Sequence, residues 1–303
     1  MKCLVTGGAG FIGSHLTDAL IGIGAEVHVV DNFSTGFRRW VNPAAVLHHE
    51  DITSDSFIRM VEQIKPDVVF HMAAQVDVQR SVADPAYDAN INVVGTVRLL
   101  SACRQAGVRK VIFSSTSAVY GDSVHNRLKE TTAPAPISYY GLSKQAGEQY
   151  IRLFHALYGL NYTILRYSNV FGPRQTAKGE GGVVAIFMNK LQQGQPLHIH
   201  GNGNQTRDFI YVQDVVQANL AAIDHGDQQT INISTSLRTS VNNLAQLIRT
   251  LHGKPVAIEY GPARQGDILN SCLSNDKARQ LLKWQPTSSL AEALIETYRH
   301  YNN

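Results

Sequence analysis

The chain opens on a short apolar run, residues 2–6 (KCLVT), which stops at the glycine cluster Gly7 to Gly13. Apolar positions then recur at helical spacing through about Leu20, and residues 26–31 (EVHVVD) return to a strand-like run. Short apolar runs bounded by turn residues read as buried strands, and a 3.6-residue period reads as helix. The rhythm continues with candidate strands at Val68 to His71, Lys110 to Ser114 and Tyr162 to Arg166. Helical stretches fall near 54–64, 89–106 and 139–158. Strand, helix and strand at short intervals predict parallel strands with right-handed crossovers, hence an α/β, doubly wound parallel sheet.

Beyond Asn169 the pattern changes. A loop rich in glycine and lysine (Gly172 to Gly182) precedes a helix near 183–193. Strand-like runs follow at Leu197 to His200, Phe209 to Val212 and Asn232 to Ser234, with a helix from Asp214 between the last two. Helices are predicted near 240–251, 275–283 and 289–300. This divides the chain into residues 1–168, a dinucleotide-binding domain with returning segments near 206–235, and residues 169–303, mainly a smaller C-terminal α/β substrate-binding lobe.

Composition adds limits. Of 303 residues, 44% are hydrophobic and 17% charged, enough apolar content for a full core and too much for disorder. Lys plus Arg (27) barely exceeds Asp plus Glu (24), which gives no reason to expect a nucleic-acid partner. Cys3, Cys103 and Cys272 are far apart and form no metal or redox spacing, so buried free thiols in a reducing compartment are expected. Met1 and Lys2 run directly into a strand, without a secretory leader, and no apolar stretch approaches the ~20 residues of a membrane span. A soluble cytoplasmic protein is the expectation. His48-His49 and the pair His198 and His200 lack a completing ligand set, and no metal is expected.

The glycine cluster carries the first chemistry. Residues 6–13 (TGGAGFIG) fit GxGxxG through Gly8, Gly10 and Gly13, between a strand and a helix. Such glycines let backbone N–H groups approach a pyrophosphate, which the helix N-terminus also attracts. Asp31 stands eighteen residues after Gly13, at the end of the second strand. Its carboxylate suits the two ribose hydroxyls of an adenosine and would repel a 2′-phosphate, so NAD is favoured over NADP.

The second piece is Tyr140 and Lys144, four residues apart and on one helical face. Lowering a phenol by ~3 units from its pKa near 10 requires ~4 kcal/mol. One ammonium ~5 Å away, at an effective dielectric of ~20, supplies ~3 kcal/mol. An oxidised nicotinamide would add a second positive charge, so the pair can make a phenolate base. Upstream, residues 113–121 (FSSTSAVYG) put hydroxyl side chains at the carboxyl end of a strand, where sheet ligands bind, and Thr116 could reach a sugar hydroxyl.

Taken together these segments resemble the extended short-chain dehydrogenase/reductase family, and within it the UDP-glucose (UDP-galactose) 4-epimerases. The resemblance spans nearly the whole chain: TGGAGFIGSH (6–15), DNFSTG (31–36), HMAAQ (71–75), NVVGT (92–96), FSSTSAVYG (113–121), YGLSK (140–144), RYSNVFGPRQ (166–175), GNGNQTRDFIYVQDV (201–215) and RQGD (264–267). It implies a Rossmann sheet with a nucleotide-sugar-binding lobe. It implies that Gly7, Gly10 and Gly13 hold the NAD pyrophosphate, Asp31 the ribose, and Asp51 and Ile52 the adenine edge. Ala73, Ala74 and Gln75 would line the cofactor groove, and Asn92 would support the nicotinamide half. Phe11, Ile12, Asn32, Ser34, Thr35, Gly36, Ser114 and Tyr167 complete the implied cofactor contacts, together with Tyr140 and Lys144. Thr116, Tyr140 and Lys144 form the implied catalytic set. On the substrate side stand Asn169 and Val183, the arginines Arg207 and Arg264 as a diphosphate clamp, and Asp267 on the uridine ribose.

The implied reaction is reversible. Tyr140 removes the 4-hydroxyl proton, hydride passes from sugar C4 to NAD⁺, the 4-keto sugar swings over, and hydride returns to the opposite face. Related 4,6-dehydratases carry an Asp-Glu pair after the catalytic threonine; Ser117 and Ala118 stand there instead. Ser271 is small where other epimerases carry a bulky aromatic residue, which leaves room at the sugar C2 and predicts that UDP-GlcNAc and UDP-GalNAc are also accepted. A UDP-glucuronate epimerase or decarboxylase remains an alternative, as does a non-catalytic NAD-binding regulator, although such proteins lose the Tyr or the Lys. The helices near 89–106 and 139–158 match those that pair in the family's homodimers.

Overall fold

The computed structural model describes residues 1–122, 127–177, 182–263 and 268–302. In chain order the first elements are β1 (Lys2–Thr6), α1 (Phe11–Gly22), β2 (Glu26–Asp31), β3 (Val46–His49), α2 (Asp55–Ile64) and β4 (Val68–His71). There follow α3 (Val78–Ala83), α4 (Pro85–Ala89), a π-helical turn (Asn90–Val94) that runs into α5 (Gly95–Ala106), β5 (Lys110–Thr116), α6 (Tyr139–Tyr158), β6 (Asn161–Tyr167) and β7 (Asn169–Phe171). The remainder comprises α7 (Val183–Gln192), β8 (Leu197–His200), β9 (Thr206–Arg207), β10 (Phe209–Tyr211), α8 (Val212–Ala221), β11 (Gln229–Ile233), β12 (Thr239–Ser240), α9 (Val241–His252), β13 (Ile258–Gly261), α10 (Asp276–Leu281) and α11 (Leu290–Asn302).

Seven strands form one parallel sheet in the order β11-β6-β5-β4-β1-β2-β3. It is the doubly wound Rossmann arrangement that the alternating pattern predicts. The apolar run of β1 is buried on both sides because helices cover both faces. Cys3 and Val5 pack on one face with Leu16 and Leu20 of α1 and Val215 and Val216 of α8. Leu4 packs on the other with Phe57 and Val61 of α2 and Leu99 of α5. Each such fully buried side chain contributes ~1.5–3 kcal/mol. A third apolar cluster gathers Phe171, Phe187, Leu197, Phe209, Leu244 and Leu294 from the later elements.

The helix that carries Tyr140 and Lys144 keeps its predicted bounds for local reasons. Ser138 caps α6 by accepting the Gly141 amide at 3.1 Å, and Gly159 ends it in the left-handed region at φ 72°. Elsewhere the pattern misses short elements. β3 is a half-exposed edge strand of four residues. β7 pairs with distant β10, and β9 with β12 and, through Thr206, with Asn270. α8 begins at Val212, directly after β10, rather than at Asp214, which stands in its first turn and accepts from Thr287 and Ser288 before α11. Cys3, Cys103 and Cys272 are buried free thiols. Among the described residues no helix is long and apolar enough to cross a membrane.

From β1 the chain winds outward through β2 to β3, then returns to β4 and winds the opposite way. The reversal leaves a crevice above the carboxyl ends of β1 and β4, where ligands of such sheets bind.

Candidate active site

The glycine turn lies in that crevice. Gly7 has φ 68° and donates its amide to Val30 O at 2.7 Å. A Cβ on Gly7 would lie 2.7 Å from the Ala73 nitrogen, and one on Gly13 only 2.1 Å from Gly7 O. Helix α1 can therefore sit close to β1 and β4 only with these residues absent a side chain. Gly10 caps α1 with no side-chain hydrogen bond, so the first-turn amides remain directed at the crevice. Asp31 is buried at the end of β2, where Oδ2 accepts the Ala9 amide at 2.9 Å and Oδ1 the Phe33 amide at 2.8 Å. Burial pushes its carboxyl up, and the two amides oppose that.

Two clefts meet at this turn, sharing Gly7, Gly10, Met72, Ala74 and Val76. The first holds about 880 Å³ of open space. Its walls carry Asp31, Asn32, Ser34, Thr35, Asp51, Ile52, Ala73, Ala74 and Gln75. Asn32 donates to Asp51 Oδ2 at 2.7 Å, which fixes the two walls together. Gly36 lies just outside, where a Cβ would come within 2.9 Å of the Ala9 backbone.

The second cleft, about 1080 Å³, brings together Phe11, Ile12, Gly13, Ser114, Thr116, Tyr140, Lys144, Tyr167, Asn169 and Val183. Five separate stretches of sequence thus converge on one space. Ser114 donates to His71 O at 2.8 Å and Tyr167 to Asn219 Oδ1 at 3.0 Å. Lys144 is 3% exposed, with Nζ 4.3 Å from the centre of the Phe113 ring. Burial pushes it down to about 7, against the opposing pull of Glu148 and Asp88. His71 hydrogen-bonds Thr6 Oγ1 at 2.8 Å and Thr96 Oγ1 at 3.0 Å. Burial, helped by the Lys144 charge, pushes it down to about 3. Behind Lys144, Glu148 accepts from Arg166 at 2.8 and 2.6 Å, from Ser115 at 2.6 Å and from Arg152 at 2.9 Å.

The residues present fit a dinucleotide. A glycine cradle opens onto first-turn helix amides that no side chain caps, a buried carboxylate stands at the second strand, and clefts lie on both sides.

Other expected residues stand apart. Asn92 lines neither cleft; it accepts the Gln75 amide at 2.9 Å and contacts Ser143 Oγ at 3.0 Å, so it braces the wall from behind. Arg207 sits half-buried on β9 outside both clefts, donating to Thr206 O at 2.9 Å. Ser271 is buried, with its amide on Thr206 O at 3.2 Å, and does not line either cleft. Arg264 and Asp267 lie outside the described residues.

The structure also adds residues that the pattern did not single out. Gln175 lines the second cleft, donates to Val170 O at 3.0 Å, and leaves Oε1 buried with no partner among the described residues. Its signal was the RYSNVFGPRQ stretch, which ends on it. Asp208 is buried and accepts from Ser168 Oγ, Thr235 N and Oγ1, Ser236 N and Leu273 N, with Cys272 Sγ at 3.7 Å. No local pattern marks it, because those donors come from three distant segments.

A doubly wound sheet, a glycine cradle and a Tyr-Lys pair facing one continuous crevice define a dinucleotide-dependent enzyme of the extended short-chain dehydrogenase/reductase class. The chain belongs to the NAD dependent epimerase/dehydratase family, whose profile matches residues 3–234. It is 41% identical over 310 residues to the UDP-glucose 4-epimerase of Mycolicibacterium smegmatis, spanning 100% of this chain and 99% of that one. Its fold superposes with a TM-score of 0.96 on the Thermotoga maritima UDP-glucose 4-epimerase solved with UDP-glucose, at 44% identity over 100% of this chain and 99% of that one. The Thermus thermophilus UDP-glucose 4-epimerase, solved with NAD, gives 0.95 at 37% identity, again over 100% and 99%.

Proposed function

We propose that this protein interconverts the C4 epimers of a UDP-hexose, UDP-glucose and UDP-galactose, with NAD as its resident cofactor. The observation that carries the reading is the convergence of Thr116, Tyr140 and Lys144 on a cleft continuous with the glycine cradle. Tyr140 Oη takes the proton of the sugar 4-hydroxyl and later returns it. Lys144 keeps that phenol acidic through its charge, and Thr116 orients the hydroxyl. The bound dinucleotide supplies a reversible hydride acceptor, so the reaction has no net redox change. Asp31 takes the adenosine ribose, and the α1 amides take the pyrophosphate. Asn169 and Val183 serve the substrate side, with Arg207, Arg264 and Asp267 assigned there by resemblance. Residues 1–168 act as the cofactor domain and 169–303 mainly as the nucleotide-sugar lobe.

The Gln175 Oε1, buried at the second cleft with no partner among the described residues, favours a substrate with an extra donor, so N-acetylated sugars are included. A homodimer is supported by apolar side chains left exposed on α6, namely Leu142, Leu153 and Leu157 with Tyr139 and Tyr150. A cytoplasmic setting suits the three buried thiols.

The test offers the pure enzyme five UDP-sugars: glucose, galactose, the two N-acetylhexosamines and glucuronate. The products are then separated. Epimers of the hexoses are expected. Turnover of glucuronate alone would replace the substrate assignment. Tyr140→Phe should lower turnover by ~10²–10⁴-fold with NAD still bound; unaltered turnover refutes the role given to Tyr140.

A further inference from the structure

We propose that Asp88 is the buried counter-ion that keeps Lys144 in its ammonium form beside Tyr140. The inference rests on the reading of Tyr140 and Lys144 as the reacting pair. Both groups are almost wholly enclosed, Lys144 at 3% exposure and Asp88 at 1%. A buried charge is tolerated only when another charge or a full set of hydrogen bonds answers it.

The groups facing Lys144 can be taken element by element. On its own helix stand Tyr140 one turn before and Glu148 one turn after. On β5 it meets the Phe113 ring, and from β4 comes His71, neutral at pH 7. From α4 comes Asp88. Glu148 is already committed, since Arg166 and Arg152 both bind it. Glu148 also supports the Lys144 charge, but it divides its own between two guanidiniums, whereas Asp88 has none beside it among the described residues.

Asp88 is in the reverse position. Its Oδ1 accepts only from neutral amides, Gln75 Nε2 at 2.8 Å and Asn92 Nδ2 at 3.1 Å. Its Oδ2 is buried with no hydrogen-bond partner among the described residues. No basic side chain of the described residues lies within ion-pair distance of it. Among the described residues Asp88 has no cation and Lys144 no carboxylate within ion-pair distance. Helix α4 packs against α6, and the Asp88 carboxylate there favours the charged form of Lys144.

The local fold holds them in register. Asn92 sits in the π-helical turn, the kind of inserted turn that re-aims a side chain. Its Nδ2 contacts both Asp88 and Ser143 Oγ, the neighbour of Lys144. Its Oδ1 accepts the amide of Gln75, which lines the first cleft. The carboxylate is thereby fixed relative to helix α6 and to the cofactor wall at once. Asp88 is a positioning residue: it acts on the phenol through Lys144.

The experiment follows the lysine directly. Full-length enzyme with bound NAD is labelled with ¹³Cε-lysine, the Lys144 resonance is assigned by its loss in Lys144→Arg, and its midpoint is read against pH. Asp88→Asn keeps the shape and the Oδ1 acceptor and removes only the charge. It should move the midpoint down by about one pH unit, the usual scale for losing one nearby opposite charge. The alkaline limb of UDP-hexose turnover should follow, with about five-fold less activity at pH 7 for a one-unit drop from a midpoint near 7. Asp88→Glu keeps the charge and should hold the wild-type midpoint. An unmoved midpoint in Asp88→Asn, or an equal drop in Asp88→Glu, overturns the proposal. Lack of turnover on every UDP-sugar would defeat the functional reading and leave the lysine titration to decide this one.

Discussion

Glu148 lies on α6 between two guanidiniums and a serine hydroxyl, whereas Asp208 lies beside Ser168 of the second cleft, where each donor it meets is neutral. Both carboxylates are at 0% exposure. The arginines hold Glu148 below the usual carboxylate range, while burial pushes Asp208 above it. Glu148 joins rigid elements, since Ser115 is on β5, Arg166 on β6 and Arg152 on α6. Asp208 joins pieces of chain that have no regular structure of their own, at 168, 235–236 and 272–273. Where helices and strands exist, charge locks them in place. Where only loops exist, one acceptor collects their amides and hydroxyls.

Removing the charged lock should cost most. Glu148→Gln leaves Arg166, 3% exposed, facing a neutral amide, and should cost ~3–5 kcal/mol in urea unfolding. A loss under ~1 kcal/mol would show that the cluster is not what fixes α6 on the sheet. The pH dependence gives a second reading. With its folded pKa depressed, Glu148 contributes stability in full above its unfolded value of about 4.3, and that contribution is lost as pH falls through the folded value. The acid limb of the stability curve should therefore flatten in Glu148→Gln.

Asp208→Asn should cost less, ~1–3 kcal/mol, because one carboxamide oxygen still accepts. Its pH effect has the opposite sign. A raised folded pKa means that protonation on acidification relieves a cost, so losing Asp208 should steepen the acid limb. In kinetics it should raise KM for the UDP-sugar about tenfold and leave NAD affinity unchanged, as loosening one cleft wall by ~1.4 kcal/mol would do. Equal losses in NAD and UDP-sugar binding would erase the contrast between the two sides. The smallest effect belongs to Ser168→Ala, which removes one 3.3 Å bond to Asp208. A change of ~0.5–1 kcal/mol and a KM within about three-fold of wild type are expected.

Much of the first side was legible in the sequence because its rules are local. The strand, glycine turn and helix of 2–22 follow from adjacent residues, and Ser138 and Gly159 mark α6 at both ends. The pocket-lining positions Asp31, Thr116 and Tyr140 stand at strand ends or on one helix face, as spacing dictates, whereas Ala74 came only through the family resemblance. The buried carboxylates were not legible. Asp88 and Asp208 look like ordinary surface acids until their surroundings are known, and the partners of Asp208 lie 40 residues upstream and 27 to 65 residues downstream. Short strands such as β7 and β9 escaped for the same reason, since each exists only through a partner far along the chain.

The place of β11 at the edge of the main sheet bears on how the polypeptide is made. Its neighbour β6 is synthesised well before it, with β7 to β10 and two helices emerging in between. Until residues 229–233 leave the ribosome, the nascent chain carries an open seven-residue strand edge, a surface that holds chaperones or sticks to another copy of itself.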